Sequence, residues 1–145
     1  MTNLEYRIEV GGTREDAYEV RFAVFVEEQG VDPDIEIDEH EDEAVHFVAY
    51  ADDDPVGAAR LREPEAGLGK IERLAVLESH RGNGLGEALM DAVEREARDR
   101  ELTTLTLHGQ LRVAEFYEYL GYDRVNEEFM EAGIPHVEMT KTLEE

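Results

Sequence analysis

Residues 70–90 read KIERLAVLESHRGNGLGEALM, and the order of signals in them decides the fold. The residues up to Val76 complete a strand signal over Leu68–Val76 (LGKIERLAV). Arg81-Gly82-Asn83-Gly84-Leu85-Gly86 follow as a glycine-rich turn. Leu85, Ala88, Leu89, Ala92, Val93 and Ala97 then recur at helical spacing, which predicts an amphipathic helix over Gly84–Arg100 with acids and arginines on its other face. A strand, a glycine turn and a helix start together make an anion site. Glycine lets backbone N–H groups approach an oxygen closely, and the helix dipole adds roughly half a positive charge. Arg81 supplies a forked cation.

Around this unit, strands and helices alternate. Leu4–Val10 alternates apolar and polar residues as a strand does. Thr13 is a candidate N-cap, with Asp16 completing a variant capping box. The helix that follows runs to about Gln29 and stops at Gly30. Ala17, Val20 and Val24 form its buried stripe, widened by Phe22, Phe25 and Val26. Ala44–Ala51 and Val56–Arg62 flank Asp52–Pro55 as a hairpin. Leu102–His108 predicts a strand and Arg112–Leu120 a short helix closed by Gly121. Tyr122–Val125 and Pro135–Thr142 predict the last strands. The expected fold class is α+β, in α/β/α layers, with 1–145 forming one domain. The acid-rich stretch Asp34–Glu43 lacks the glycine of a calcium loop and reads as a solvated loop rather than a metal site.

Composition excludes several function classes. Fourteen basic residues against 37 acidic ones give a net charge of −23, and only Lys70 and Lys141 are lysines. Such a chain is repelled by phosphate backbones, so no nucleic acid is expected, and no anionic membrane surface for the same reason. No apolar run approaches the roughly 20 residues of a membrane span. The N-terminus shows no signal-peptide pattern, so a cytoplasmic, soluble protein is expected. Cysteine is absent, which removes disulfides, thiolate nucleophiles and Cys-ligated zinc; no metal is expected. The acidic surface resembles that of proteins from salt-loving (halophilic) organisms. An acidic site for a polycationic substrate is the alternative.

The turn fits one phosphate-binding pattern of three. A P-loop needs Lys after its last glycine, and Glu87 follows Gly86. A dinucleotide fingerprint started at Gly82 meets Glu87 where its last glycine belongs. The pattern [Q/R]-x-x-G-x-[G/A] is filled by Arg81, Gly84 and Gly86. It marks the acetyl-CoA site of the GNAT superfamily of N-acetyltransferases, which this chain resembles along nearly its whole length. FYEYLGY (Phe116–Tyr122) resembles the late motif of that family. RFAVFVEEQGV (Arg21–Val31) and LHGQLRVAEFY (Leu107–Tyr117) resemble a small bacterial and archaeal subgroup.

The resemblance implies a mixed, mostly antiparallel sheet in which the strand ending at Val76 and the strand Leu102–His108 run parallel and then splay apart. It implies acetyl-CoA as co-substrate, its pantetheine arm on the main chain of Leu74, Ala75 and Val76. The pyrophosphate would lie on the amides of Gly82, Asn83, Gly84, Leu85 and Gly86. It further implies direct attack by an amine on the thioester. Tyr117 stands where the family commonly places the acid for the leaving thiolate; Tyr119 and Tyr122 read as core aromatics. Glu72 is a candidate base, with pairing to Arg73 or Arg60 as the alternative, and His108 is a rival base. Phe25, Glu28, Gln29 and Gln110 are candidate acceptor-lining residues. His46 and His136 read as structural, and His80 as solvent-exposed. The expected partner is a small-molecule or peptide amine, and a homodimer is left open. A CoA-binding module without catalysis and an acidic interaction protein are the other classes.

The charge generates a first prediction. If the acidic surface is an adaptation to salt, the melting temperature rises strongly between low and molar KCl. A flat response rejects that adaptation and favours the polycation-substrate alternative.

Overall fold

The computed structural model describes residues 6–11 and 13–143. Its strands are β1 (Tyr6–Val10), β2 (Val45–Ala51), β3 (Asp54–Glu65), β4 (Leu68–Val76), β5 (Thr104–Gln110), β6 (Asp123–Glu131) and β7 (Ile134–Thr142). Its α-helices are α1 (Arg14–Arg21), α2 (Pro33–Glu36), α3 (Leu85–Asp99) and α4 (Ala114–Tyr119). The strands form one sheet in the order β1-β2-β3-β4-β5-β7-β6. Every pairing is antiparallel except β4–β5. This is the mixed sheet with one parallel pair that the resemblance implied. The expected first strand begins two residues earlier than β1, and Leu4 and Glu5 lie outside the described residues.

Helices cover both faces. Leu85, Leu89, Met90, Val93 and Ala97 of α3 are buried against Phe47, Leu61, Ile71 and Leu105. On the opposite face Ala17, Val20 and Val24 pack on Val48, Ala58 and Ala75. Ile71 and Ala75 are four residues apart on one strand, yet they enter different cores. Alternation alone would keep them on one face. A bulge reverses it: one residue of β3, Ala59, lies opposite two of β4, Arg73 and Leu74. Arg73 takes a positive φ of 59°, a conformation costing a non-glycine residue on the order of 1–3 kcal/mol.

Arg73 is held there by its side chain. Its guanidinium donates to the Glu36 and Ile35 carbonyls and to the Asp38 carboxylate. These partners belong to the stretch expected to be a solvated loop, and that expectation is corrected. Glu36 and Glu41 are buried and take all three guanidinium nitrogens of the equally buried Arg21. Arg60, 0% exposed, pairs with Asp38, Glu41 and Glu72. Sequence alone hides this, because the arginines that neutralise the loop come from α1 and the sheet.

Other local expectations shift for identifiable reasons. The capping box is absent, since Thr13 makes no side-chain cap and Asp16 accepts from the Tyr50 hydroxyl. The helix after Arg21 does reach the predicted stop at Gly30 (φ 75°), but as a π-helix over Phe22–Glu28. Its wider turn leaves Phe22 exposed rather than in the buried stripe. Tyr122 is core, its hydroxyl donating to Glu94, whereas Tyr119 is 77% exposed. β6 runs six residues past the expected end, because its outward face is acidic and carries no apolar alternation.

The buried ion network generates a prediction. Burial pushes the Asp38 and Glu41 carboxyls up, but hydrogen bonds from Arg60 and Arg21 outweigh it and hold both at about 2. Folded values below unfolded ones mean stability that is complete above the ordinary carboxylate range and lost as pH falls toward 2. Chemical denaturation should show that loss between about pH 4.5 and 2. Burial also lowers His46, which adds a loss beginning nearer pH 6.5. Glu41→Ala removes one carboxylate from Arg21 and Arg60 but leaves Arg21 with Glu36 and Arg60 with Asp38 and Glu72; losing buried charge-assisted hydrogen bonds should cost about 1.5–3 kcal/mol at pH 7. Asp91→Ala, removing an exposed pair with Arg95, should cost less than about 1 kcal/mol.

Candidate active site

β4 and β5 pair from Leu68–Thr104 to Ile71–Leu107 and no further. Beyond that point β4 stays on β3 through Ala58–Ala75 and Gly57–Val76, while β5 follows β7 through His108, Gly109 and Gln110. The separation coincides with the bulge at Arg73. It leaves the β4 edge over Leu74–Val76 without a partner on the β5 side and opens a cleft of about 1040 Å³. Leu74, Ala75 and Val76 line the cleft, as do Gly82, Gly84, Leu85 and Gly86.

The glycine turn presents open space and unpaired backbone donors. Gly82 and Gly84 have φ of 83° and 78°, and no atom lies within 4 Å of where their Cβ would be. The backbone N–H groups from Gly82 to Glu87 have no acceptor among the described residues; the first helical bond is Ala88 to Gly84. These donors lie together at the positive end of α3. Leu85 anchors the helix start in the core. The Asn83 side chain is not on the cleft and instead reaches Tyr6 and the His80 carbonyl, so only its amide belongs to the turn.

Arg81 is already engaged. Its Nε donates to the Val76 carbonyl and its fork holds Glu28 at 2.6 and 2.7 Å. Glu28, a candidate acceptor-lining residue, lines the cleft and is at the same time the ion-pair partner of Arg81, which holds its carboxyl below the usual range. The next residue, Gln29, accepts from Gln110 on the β5 side at 2.8 Å. The end of the π-helix is therefore fastened to both arms of the opening, and Phe25 on the same segment lines it.

Tyr117 also lines the cleft. Its ring lies edge-on to Phe116 and Tyr122, and its hydroxyl has no hydrogen-bond partner among the described residues. Burial pushes the phenol up to about 12, so it keeps its proton at neutral pH. The ring packs on β5 because Gly109 has no side chain; a Cβ there would meet Tyr117 Cδ2 and Cε2 at 3.0 Å. Gly109 was missed by sequence reasoning, and a glycine between two strand residues was its available signal.

The expectation of Glu72 as a free base facing the slot is corrected, in favour of its alternative pairing with Arg60. The carboxylate lines the cleft, but Arg60 and Arg62 donate to its Oε1 at 2.7 and 2.8 Å. Lys70 stands 3.6 Å from Oε2. Burial pushes the carboxyl up, and the Arg62 and Arg60 contacts carry it below its ordinary value. An ionised carboxylate with two arginines on it has little affinity for a further proton. The rival His108 lines the cleft at the end of β5, with Nδ1 3.0 Å from Glu131. His136, expected to be structural, and Glu131 line the cleft as well. Neither stood out in sequence, because the hairpin joining β6 and β7 brings them to β5. His80 is half-buried against Tyr6, and His46 is buried as expected.

This geometry agrees with known proteins. Residues 13–143 match the family model for the acetyltransferase (GNAT) domain. A Bacillus subtilis protein assigned as an acetyltransferase is 47% identical over 128 residues, 86% of each chain. A crystal structure assigned as an N-acetyltransferase from Lactobacillus plantarum superposes with a TM-score of 0.88 at 33% identity, over 95% of this chain and 98% of that one. A Bacillus subtilis acetyltransferase solved in complex with CoA shares the fold, with a TM-score of 0.74 at 21% identity over 96% of this chain and 99% of that one. A splayed parallel pair, an amide-lined glycine turn and a family match over nearly the whole length leave one assignment: this chain belongs to the GNAT acetyltransferases.

Proposed function

We propose that this protein transfers the acetyl group of acetyl-CoA to a primary amine by direct attack in a ternary complex. The observation that carries the reading is the β4 edge over Leu74–Val76, which β5 leaves unpaired, ending beside the unpaired amides of Gly82–Glu87. An extended pantetheine arm pairs with such an edge as an added strand does. The pyrophosphate then reaches the turn at the start of α3, where N–H donors and the helix dipole favour it. Glu28 holds the Arg81 fork until a phosphate oxygen competes for it.

The amine attacks the thioester carbonyl. The N–C bond forms, the C–S bond breaks and its electron pair leaves on sulfur. The amine proton passes to Nε2 of His108 and from there to solvent. A phenol near 12 is a weaker acid than an alkyl thiol of about 8.5. Tyr117 therefore acts by hydrogen-bonding the developing thiolate, which takes its proton from solvent as CoA leaves. The acceptor is a small-molecule or peptide amine, and the site of action is the cytoplasm. None of the described helices is long and apolar enough to cross a membrane.

Two variants test this together. Gly84→Val crowds the turn and strains its φ of 78°, so calorimetry should show clear loss of CoA affinity while circular dichroism stays native. Tyr117→Phe should keep CoA affinity. Its kcat with whichever member of a panel of amines and peptides is turned over should fall by about 10²–10³, the loss of one donor to developing charge. Unchanged CoA affinity in Gly84→Val rejects the binding site, and a wild-type rate in Tyr117→Phe rejects the phenol's role. CoA binding with no turnover of any amine by the wild type favours a binding module without catalysis.

A further inference from the structure

Four side chains gather where β5, β6 and β7 meet, three of them on the lining of the cleft. His108 Nδ1 is 3.0 Å from Glu131 Oε1. His136 Nδ1 is 2.7 Å from the Ile134 carbonyl, and its Nε2 is 3.7 Å from Glu131 Oε2. Phe129 lies edge-on to His108, with centroids 5.0 Å apart, and stacks on His136 at 6.0 Å and 28°. No group of His, Asp or Glu among the described residues has the arrangement of a metal site, so the cluster is not a set of ligands.

Hydrogen-bond chemistry fixes the protons. A carbonyl only accepts, so His136 carries its proton on Nδ1. Its Nε2 is beyond hydrogen-bond distance of Glu131, which leaves that carboxylate to His108. The bond from His108 holds the Glu131 carboxyl below its ordinary value, so Glu131 is ionised and accepts only. His108 must then carry hydrogen on Nδ1. In the neutral ring Nε2 is a bare lone pair, and it has no partner among the described residues. Phe129 against the ring restricts its rotation.

The geometry points to Glu131 as a positioning residue for the base: it selects the Nδ1–H tautomer of His108 and so leaves the Nε2 lone pair at the cleft to take the amine proton. The inference rests on the proposed acetyl transfer with His108 as base. The carboxylate also offsets the positive charge the ring acquires as that proton arrives, as the carboxylate of a Ser-His-Asp triad does. The other charged groups around the ring are engaged elsewhere. Lys70 lies toward Glu72, and Glu138, opposite His108 on β7, is bonded by Asn126 and Thr106. His136 is turned to Ile134.

The test needs no acceptor. Nitrogen-15 NMR of the uniformly labelled full chain reads each imidazole nitrogen, with His108→Gln supplying the assignment. Neutral His108 should show a protonated Nδ1 and a bare Nε2. In Glu131→Gln, whose amide can donate to Nδ1, the protonated-Nε2 form should appear. Glu131→Asp should restore the Nδ1–H signature at least in part. A protonated Nε2 in the wild type, or a tautomer unmoved by Glu131→Gln, overturns the inference. CoA affinity, followed by calorimetry on the same samples, should not change. Its absence from the wild type would defeat the acetyltransferase reading and leave the tautomer result standing.

Discussion

A single backbone conformation, the positive φ of Arg73, sets the geometry on which the site depends. A strand without that bulge would keep Ile71 and Ala75 on one face, and the β4–β5 ladder would have no reason to stop at Ile71. With the bulge, Ala75 turns to the α1 core and the main chain beyond Glu72 leaves β5. The strain is small beside the interactions that hold it. Arg73 is fastened to two carbonyls and a carboxylate of the segment around α2, and Arg21 and Arg60 bind that segment to α1 and the sheet. The acidic stretch is thus the clamp that keeps the cleft open.

This organisation separates the roles of charge. Most of the −23 net charge lies on exposed carboxylates, which act through the field they make and are screened by salt. Glu36, Glu41 and Glu72 act instead through contact, each paired with buried arginine. At the cleft the same pairing decides chemistry. Two arginines make Glu72 a poor proton acceptor, whereas Glu131 engages one nitrogen of His108 and leaves the other without a partner among the described residues.

The repeated signals were legible in the sequence. Leu68–Val76 and the long helix after Gly84 stand almost where the spacing placed them. The turn Arg81–Gly86 stands between β4 and α3 as its glycines indicated. What stayed hidden depends on tertiary contacts. Nothing in RLAV marks Arg73 as a bulge, because its partners are 35–38 residues away in sequence. The π-helix over Phe22–Glu28 follows ordinary helical composition. Glu131 lies in an exposed, acid-rich strand and gains meaning only when the hairpin carries it to His108.

If the β4 edge opened at Arg73 receives the pantetheine arm as an added strand, amide hydrogen exchange followed residue by residue with and without CoA will register it. Exchange should slow over Leu74–Val76 and Gly82–Glu87 when CoA is added, and stay unchanged over Leu68–Ile71, which β5 already pairs. CoA binding that leaves Leu74–Val76 unprotected would contradict the account.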